Sequence, residues 1–396
     1  MPTPRTLLAI PVSLAFLCLS TAASQAGPAP ATNTLVRLLV TRGRAPAAAL
    51  LAHAGTGFRR TWSGTDHARP GTDHARTETD LSQAGTDHSQ AETHLARAES
   101  SYASGRTEYT QAGTGISRAD HFRAGSITKT FIATVVLQLA AEHRLSLSDT
   151  VEQHLPGLVR GAGNDGRALT LRSLLTHTSG LYDFAAATGG TIPVSPTEAV
   201  LIALTHPPAD RGRFSYSNTN YVLLGLVVRQ VTGHSYATEA ERRIIAPLRL
   251  TGTSFPGSRT TLPSPHGRAY ATDGSDVTDL DPRVAGAAGE LVTTLADLNR
   301  FYSALLGGAL LPPHWLREML NTRTAHGSYG MGVFPVKLPC GITVWGHNGR
   351  ISGSYVRTAA TVGGRRVLTF RVNTSGIADP GLEPALLAAE FCPRTS

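Results

Sequence analysis

Lysine is nearly absent from this sequence: two residues, Lys129 and Lys337, stand against 34 arginines in 396 residues. Cysteine is scarce as well, with three. No segment has the length of apolar residues needed to span a bilayer. The arginines behind the formal charge of +8 are scattered, and no basic run, zinc-finger spacing or aromatic-basic motif accompanies them. That pattern argues against nucleic acid as a partner. The near-loss of lysine gives the two that remain a meaning. A guanidinium stays protonated at any pH a protein meets, whereas a desolvated ammonium can release its proton and act as a base.

Lys129 closes the run Ser126-Ile127-Thr128-Lys129. Positions i and i+3 of a helix share a face, so Ser126 and Lys129 are expected to project together, an activated serine nucleophile in outline. The apolar residues from Ile127 to His143 nearly encircle their segment, which predicts a buried central helix with its positive N-terminal end at Ser126.

The first residues read as an export signal over 1–26: Arg5, an apolar Leu7–Leu19 stretch, and a Ser24-Gln25-Ala26 cleavage site. A secreted, soluble protein and a monomer are therefore expected. Removal of the signal takes Cys18 and leaves Cys340 and Cys392, which an exported chain is expected to pair. Gly-Thr-Asp-His recurs at 64–67, 71–74 and 85–88. This polar, low-complexity stretch cannot bury a face, so residues 64–112 read as a disordered insertion. Three Asp-His pairs there (Asp66/His67, Asp73/His74, Asp87/His88) fix no coordination geometry, and neither metal nor cofactor is expected. Around the insertion, the patterns predict a sheet domain over 33–63 and 277–396, including a returning strand at Phe58–Trp62. A mostly helical block is predicted over 113–276.

Two further motifs follow in order. Tyr216-Ser217-Asn218 lies in a polar loop before a helix predicted at Tyr221–Val231, and Gly346-His347-Asn348-Gly349 closes a strand pattern at Ile342–Trp345. Together with Phe122-Arg123-Ala124-Gly125 leading into Ser126, Leu174–Tyr182 and Gly286–Asn299, they carry a resemblance. The chain resembles the class C β-lactamase superfamily of penicillin-recognising serine enzymes, and within it the secreted D-alanyl-D-alanine carboxypeptidases. His at the third motif and the Cys340/Cys392 pair favour that branch.

The resemblance covers roughly 31–61 and 113–392. It implies an α/β (α+β) fold, an antiparallel sheet flanked by N- and C-terminal helices with an inserted all-helical domain. It also implies a carboxypeptidase acting on peptidoglycan stem peptides and inhibited by β-lactams. Same-fold alternatives are an esterase or a β-lactamase, and a non-catalytic peptidoglycan-binding protein is the rival from another class. Ser126 is then the nucleophile. Lys129 and Tyr216 are the two candidate bases, the Tyr216 phenolate being favoured by the positive field of Lys129. Asn218 steadies Lys129 and donates to the substrate, and His347 polarises or relays through Tyr216. The oxyanion donors map onto the backbone of Ser126 and Arg350, with Gly349 allowing close approach. His177 reads as a structural turn residue. The family's upstream arginine is replaced by the aromatic end of Tyr329–Phe334. The residues flanking Gly349 are Asn348 and Arg350, so Arg350 is either a substitute carboxylate clamp or a residue that narrows the cleft toward esters and amides.

Overall fold

A computed structural model describes residues 32–55, 106–113 and 115–393. The export signal, the strand predicted at 58–62 and the tetrapeptide repeat lie outside these residues. Six antiparallel strands form the main sheet: β1 (Ala47–Ala54), β2 (Arg106–Gly113), β3 (Phe334–Lys337), β4 (Thr343–Ile351), β5 (Ser354–Ala360) and β6 (Arg366–Val372), in the order β2-β1-β6-β5-β4-β3. β1 is buried along all but its last residue, as its small apolar sequence requires of a central strand.

The strand that pairs with β1 is Arg106–Gly113, so the sequence-derived insertion boundary at 112 runs too far. These residues are mostly polar, and a polar strand belongs at a sheet edge, where β2 sits.

Alternation along the strands separates two cores. Ala48, Leu50, Phe370 and Tyr355 pack with helix α1 (Thr32–Thr41) and the C-terminal helix α8 (Leu382–Phe391). Ala49, Leu51, Val356 and Val367 face the other way, into a larger core built around α2 (Thr128–Ala141) and α7 (Leu295–Leu306). The helical block also holds α3 (Leu171–Leu175), α4 (Phe184–Thr188), α5 (Pro196–Ala203) and α6 (Asn218–Thr232). A polar bolt crosses from α7 to the sheet: Asn299 Nδ2 donates to Leu51 O at 2.9 Å, and the Thr369 hydroxyl donates to Asn299 Oδ1 at 2.7 Å. The predicted sheet, flanking helices and inserted helical block are all present.

Three local departures bear on the site. A 3₁₀ turn, Gly125–Ile127, precedes α2, so Ser126 lies on that turn rather than in the helix. Helix α6 starts at Asn218, three residues before its apolar periodicity, and stops at Gly233 with φ +78°. Strand β4 runs through the Gly346–Gly349 motif instead of ending before it. Cys340, in the β3–β4 turn, is bonded to Cys392 just after α8, with Cα atoms 5.8 Å apart.

Candidate active site

Two glycines bring the nucleophile's turn against strand β4. A side-chain carbon at Gly349 would sit 1.8 Å from Ala124 O, and one at Gly125 would sit 2.8 Å from Arg350 N, at a φ of +51°. Only glycine permits this approach. The turn is held from its other side as well. Ala124 N donates to Leu291 O at 2.7 Å, Thr128 Oγ1 donates to Gly125 O, and Leu291 N donates to Thr128 Oγ1. Strand β3 covers β4 only as far as Gly346, so the β4 backbone from His347 onward borders the Ser126 turn without an intervening strand.

Lys129 is fully buried, and its amine has three neighbours: Ser126 Oγ at 3.0 Å, Asn218 Oδ1 at 2.7 Å and Ala288 O at 2.7 Å. The orientation of Asn218 is decided by Asp183, whose carboxylate accepts from Asn218 Nδ2 at 3.1 and 3.0 Å and from Asn218 N at 3.1 Å. Asn218 therefore turns its oxygen to Lys129. Two of the amine's neighbours can only accept. A neutral amine gives its two hydrogens to them and leaves its lone pair for the Ser126 hydroxyl. Burial lowers the Lys129 pKa to about 7, with the Asp183 carboxylate pulling the other way. This geometry leaves the amine lone pair free to face the Ser126 hydroxyl.

Tyr216 interacts with Ser126 through its hydroxyl, and its ring lies 4.9 Å from the Lys129 amine. Burial raises its pKa. Burial, with the Asp183 charge adding to it, thus works against the expected phenolate, and the hydrogen bond with Ser126 offsets it only in part. His177 backs this ring at 4.2 Å between centroids. It adopts φ +55°, as a turn residue, and its Nδ1 accepts from Ser217 N at 3.2 Å and Asn220 Nδ2 at 3.1 Å. Burial and the charge of Lys129 hold it neutral. Its work is to position the Tyr216 loop.

His347 differs from expectation. Its Nδ1 is bonded to Asn348 O, a carbonyl that can only accept, so the proton sits on Nδ1. Nε2 then accepts from the Tyr329 hydroxyl at 2.8 Å. The Tyr216 ring centroid is 6.4 Å away, and no hydrogen bond joins the two side chains. Burial pushes the His347 pKa down to about 3. The third-motif position thus holds a neutral imidazole hydrogen-bonded to Tyr329, and the expected polarisation or relay through Tyr216 has no direct hydrogen bond to run along.

Asn348 and Arg350 also depart from the sequence reading. Their side chains leave β4 on the side opposite His347. Asn348 Nδ2 donates to Tyr355 OH at 3.4 Å, on the α8 side of the sheet. The exposed Arg350 guanidinium rests beside Gly376, where an added side-chain carbon would be 3.3 Å from it. Neither forms a hydrogen bond to Ser126, Lys129 or Tyr216, so these two residues border the site through their backbone. Sequence reasoning missed Asp183, Tyr329 and the Ala288 carbonyl. Tyr329 left a trace at the head of the Tyr329–Phe334 stretch and Ala288 within Gly286–Asn299, while Asp183 left none.

A model of the beta-lactamase family matches residues 97–381. The chain belongs to that family. Two penicillin-binding proteins are among its sequence relatives. One is the putative penicillin-binding protein PbpX of Bacillus subtilis, 30% identical over 54% of this chain and 53% of that protein. The other is penicillin-binding protein 4 of Amycolatopsis lactamdurans, 30% identical over 50% and 54%. The chain spans about half the length of these curated relatives. Among solved structures, a D-stereospecific amidohydrolase from Streptomyces sp. matches with TM-score 0.74 and 34% identity, over 91% of this chain and 98% of that one. A D-amino acid amidase from Ochrobactrum anthropi SV3 shares the fold, with TM-score 0.69 and 24% identity over 90% and 96%. The serine-lysine centre of this beta-lactamase family member is thus that of a serine hydrolase. No helix among the described residues is long and apolar enough to cross a membrane.

Proposed function

We propose that this protein is an exported serine amidohydrolase that forms an acyl-enzyme on Ser126 and cleaves amides of D-amino acids. The observation that carries the reading is the Lys129 amine, dry and flanked by two obligate acceptors, with Ser126 Oγ as its third neighbour. The neutral amine takes the Ser126 proton as Oγ bonds to the substrate carbonyl carbon. The N–H groups of Ser126 and Arg350 hold the resulting oxyanion. As the C–N bond breaks, the Tyr216 hydroxyl gives its proton to the departing amine, and the Lys129 ammonium restores it. Water, losing a proton to Lys129, then bonds to the acyl carbon, and Lys129 returns that proton to Ser126 Oγ as the ester C–O bond breaks and the acid departs.

The amide preference rests on what surrounds the cleft. A free terminal carboxylate needs a cation, and Arg350, the candidate for that role, is not turned to Ser126. Arg350 lies at Gly376, and Arg357 is fully buried against the Phe334 ring, 4.4 Å from its centroid. The likeness to a D-stereospecific amidohydrolase supports the same reading. The second reading, D-alanyl-D-alanine carboxypeptidase on peptidoglycan stem peptides with β-lactams as inhibitors, is favoured by the third-motif histidine and by the penicillin-binding relatives.

One experiment separates them: hydrolysis of a D-Ala-D-Ala peptide against that of its C-terminal amide, with a fluorescent penicillin and peptide mapping to establish Ser126 as the acylated residue. The amide is expected to be hydrolysed with kcat/KM at least about tenfold higher, a difference of roughly 1.4 kcal/mol. The opposite ranking, lost in Arg350→Ala on the free acid alone, establishes the carboxypeptidase.

A further inference from the structure

A cavity of about 440 Å³ lies on the far side of the residues that hold Lys129. Its walls are apolar, with Phe184, Val194, Ala199, Val222, Leu226 and Tyr236. Neither Ser126, Lys129, Tyr216, Asn218 nor His347 lines it. It nevertheless touches the centre's supports. Phe184 follows Asp183, Ala287 precedes Ala288, and Val222 and Leu226 lie one and two turns beyond Asn218 on the same stripe of α6.

The polar groups of this cavity are unevenly satisfied. In its wall, Glu290 accepts from Tyr236 OH at 2.6 Å, and burial raises its pKa to about 7. At the exposed mouth, Arg283 is neutralised by Asp281 at 2.6 Å. The Glu198 carboxylate is engaged by Ser195 N at 2.7 Å in the cap of α5. Arg229, also at the mouth, has no ion pair or side-chain hydrogen bond among the described residues. Of the charged side chains at the mouth, Arg229 is thus the one with its hydrogen-bonding groups free to meet a ligand, whereas Glu198 and Glu290 are already engaged. An apolar chamber of this size is in the range of small-molecule pockets, roughly 300–1,000 Å³.

We propose that this cavity is a second ligand site, separate from the Ser126 centre, for a small monoanion with an aromatic or aliphatic body. The body fills the chamber between α5, α6 and residues 285–287. The carboxylate meets the Arg229 guanidinium at the mouth, where a charge-assisted pair is formed. The opposite orientation would press the carboxylate against Glu290.

Calorimetric titration of the full chain with 4-phenylbutyrate and with its neutral isostere 4-phenylbutanamide tests the site. The acid is expected to bind at one site, at least about tenfold more tightly than the amide. Arg229→Gln, a surface change, is expected to bring the acid's affinity down to that of the amide. Leu226→Trp fills the chamber and is expected to abolish binding of both. Equal affinity for acid and amide, an Arg229→Gln variant that binds as the native chain does, or no binding at millimolar ligand overturns the proposal. Should Leu226→Trp fail to fold, the Arg229→Gln titration still decides. Titration reads occupancy rather than turnover, and Ser126→Ala is expected to bind like native protein. Failure here is therefore distinct from failure of the hydrolase reading.

Discussion

Lys129 and Arg357 are both fully buried cationic side chains, one in the helical core and one on the α8 side of the sheet, and they have opposite surroundings. Lys129 faces a hydroxyl, an amide oxygen and a backbone carbonyl, all uncharged. Its nearest carboxylate, Asp183, is held one residue away by Asn218. Arg357 faces the Glu383 carboxylate at 3.2 Å and the Phe334 ring. A buried amine given only neutral acceptors becomes a base; a buried guanidinium given a carboxylate and a ring becomes a strut. The chain's overwhelming use of arginine elsewhere is consistent with this division.

Exchanging the two kinds of group at the first site has the largest expected effect. Lys129→Arg retains a cation and removes the proton acceptor, so acylation by a fluorescent penicillin is expected to slow by about 10³-fold. Lys129→Met, which removes the charge as well, is expected to fall equally far and serves if the guanidinium does not fit. Labelling of either variant within tenfold of native would show that Lys129 is not the base.

At the second site the effect is on stability. Arg357→Met deletes the partner of Glu383, which also accepts a short hydrogen bond from Tyr355 OH. Losing one member of a buried pair is destabilising, but this pair holds no hydrogen bond, the guanidinium nitrogens are unsatisfied and Glu383 keeps 22% exposure, so the expected loss is only about 1 kcal/mol in urea unfolding. Penicillin acylation is expected to stay within about threefold, since Arg357 does not touch the nucleophile. An acylation rate lost in step with Lys129→Arg would erase the contrast between base and strut.

The parts of the site that lie close along the chain were legible in the sequence. Ser126 and Lys129 are set three residues apart by a turn and helix, and α2 announces its burial through apolar residues on nearly every side. Helix α6 and strand β4 follow in part from the apolar patterns at Tyr221–Val231 and Ile342–Trp345. What escaped is tertiary. The Ala288 carbonyl has no side-chain signature, and Asp183 is one acid among many until α4 and α6 meet. Tyr329 becomes a partner of His347 only when β3 pairs beside β4. The side-chain directions of Asn348 and Arg350 depended on β4 continuing through the motif, whereas the apolar pattern stops at Trp345. The neutrality of His347 and the retained proton of Tyr216 come from burial, which a motif does not encode.

The smallest expected effect tests the same contrast from the carboxylate's side. Asp183 is the charge that keeps Lys129 from falling further, so Asp183→Asn is expected to lower the Lys129 pKa. The amide can still cap α4 and accept from Asn218 N, which leaves the loop in place. In native protein the amine is charged below about pH 7 and cannot take the Ser126 proton, so kcat/KM is expected to fall about tenfold per unit below that point and level off above it. In Asp183→Asn the limb is expected to move to lower pH by several tenths of a unit to about one unit, as the loss of a nearby opposite charge requires. Activity at pH 6 then rises relative to native while the plateau stays level or drops. A limb that stays put assigns it to a group other than Lys129. One that moves upward means that the carboxylate does not act on Lys129 by charge, and the orientation of Asn218 would then be its whole contribution.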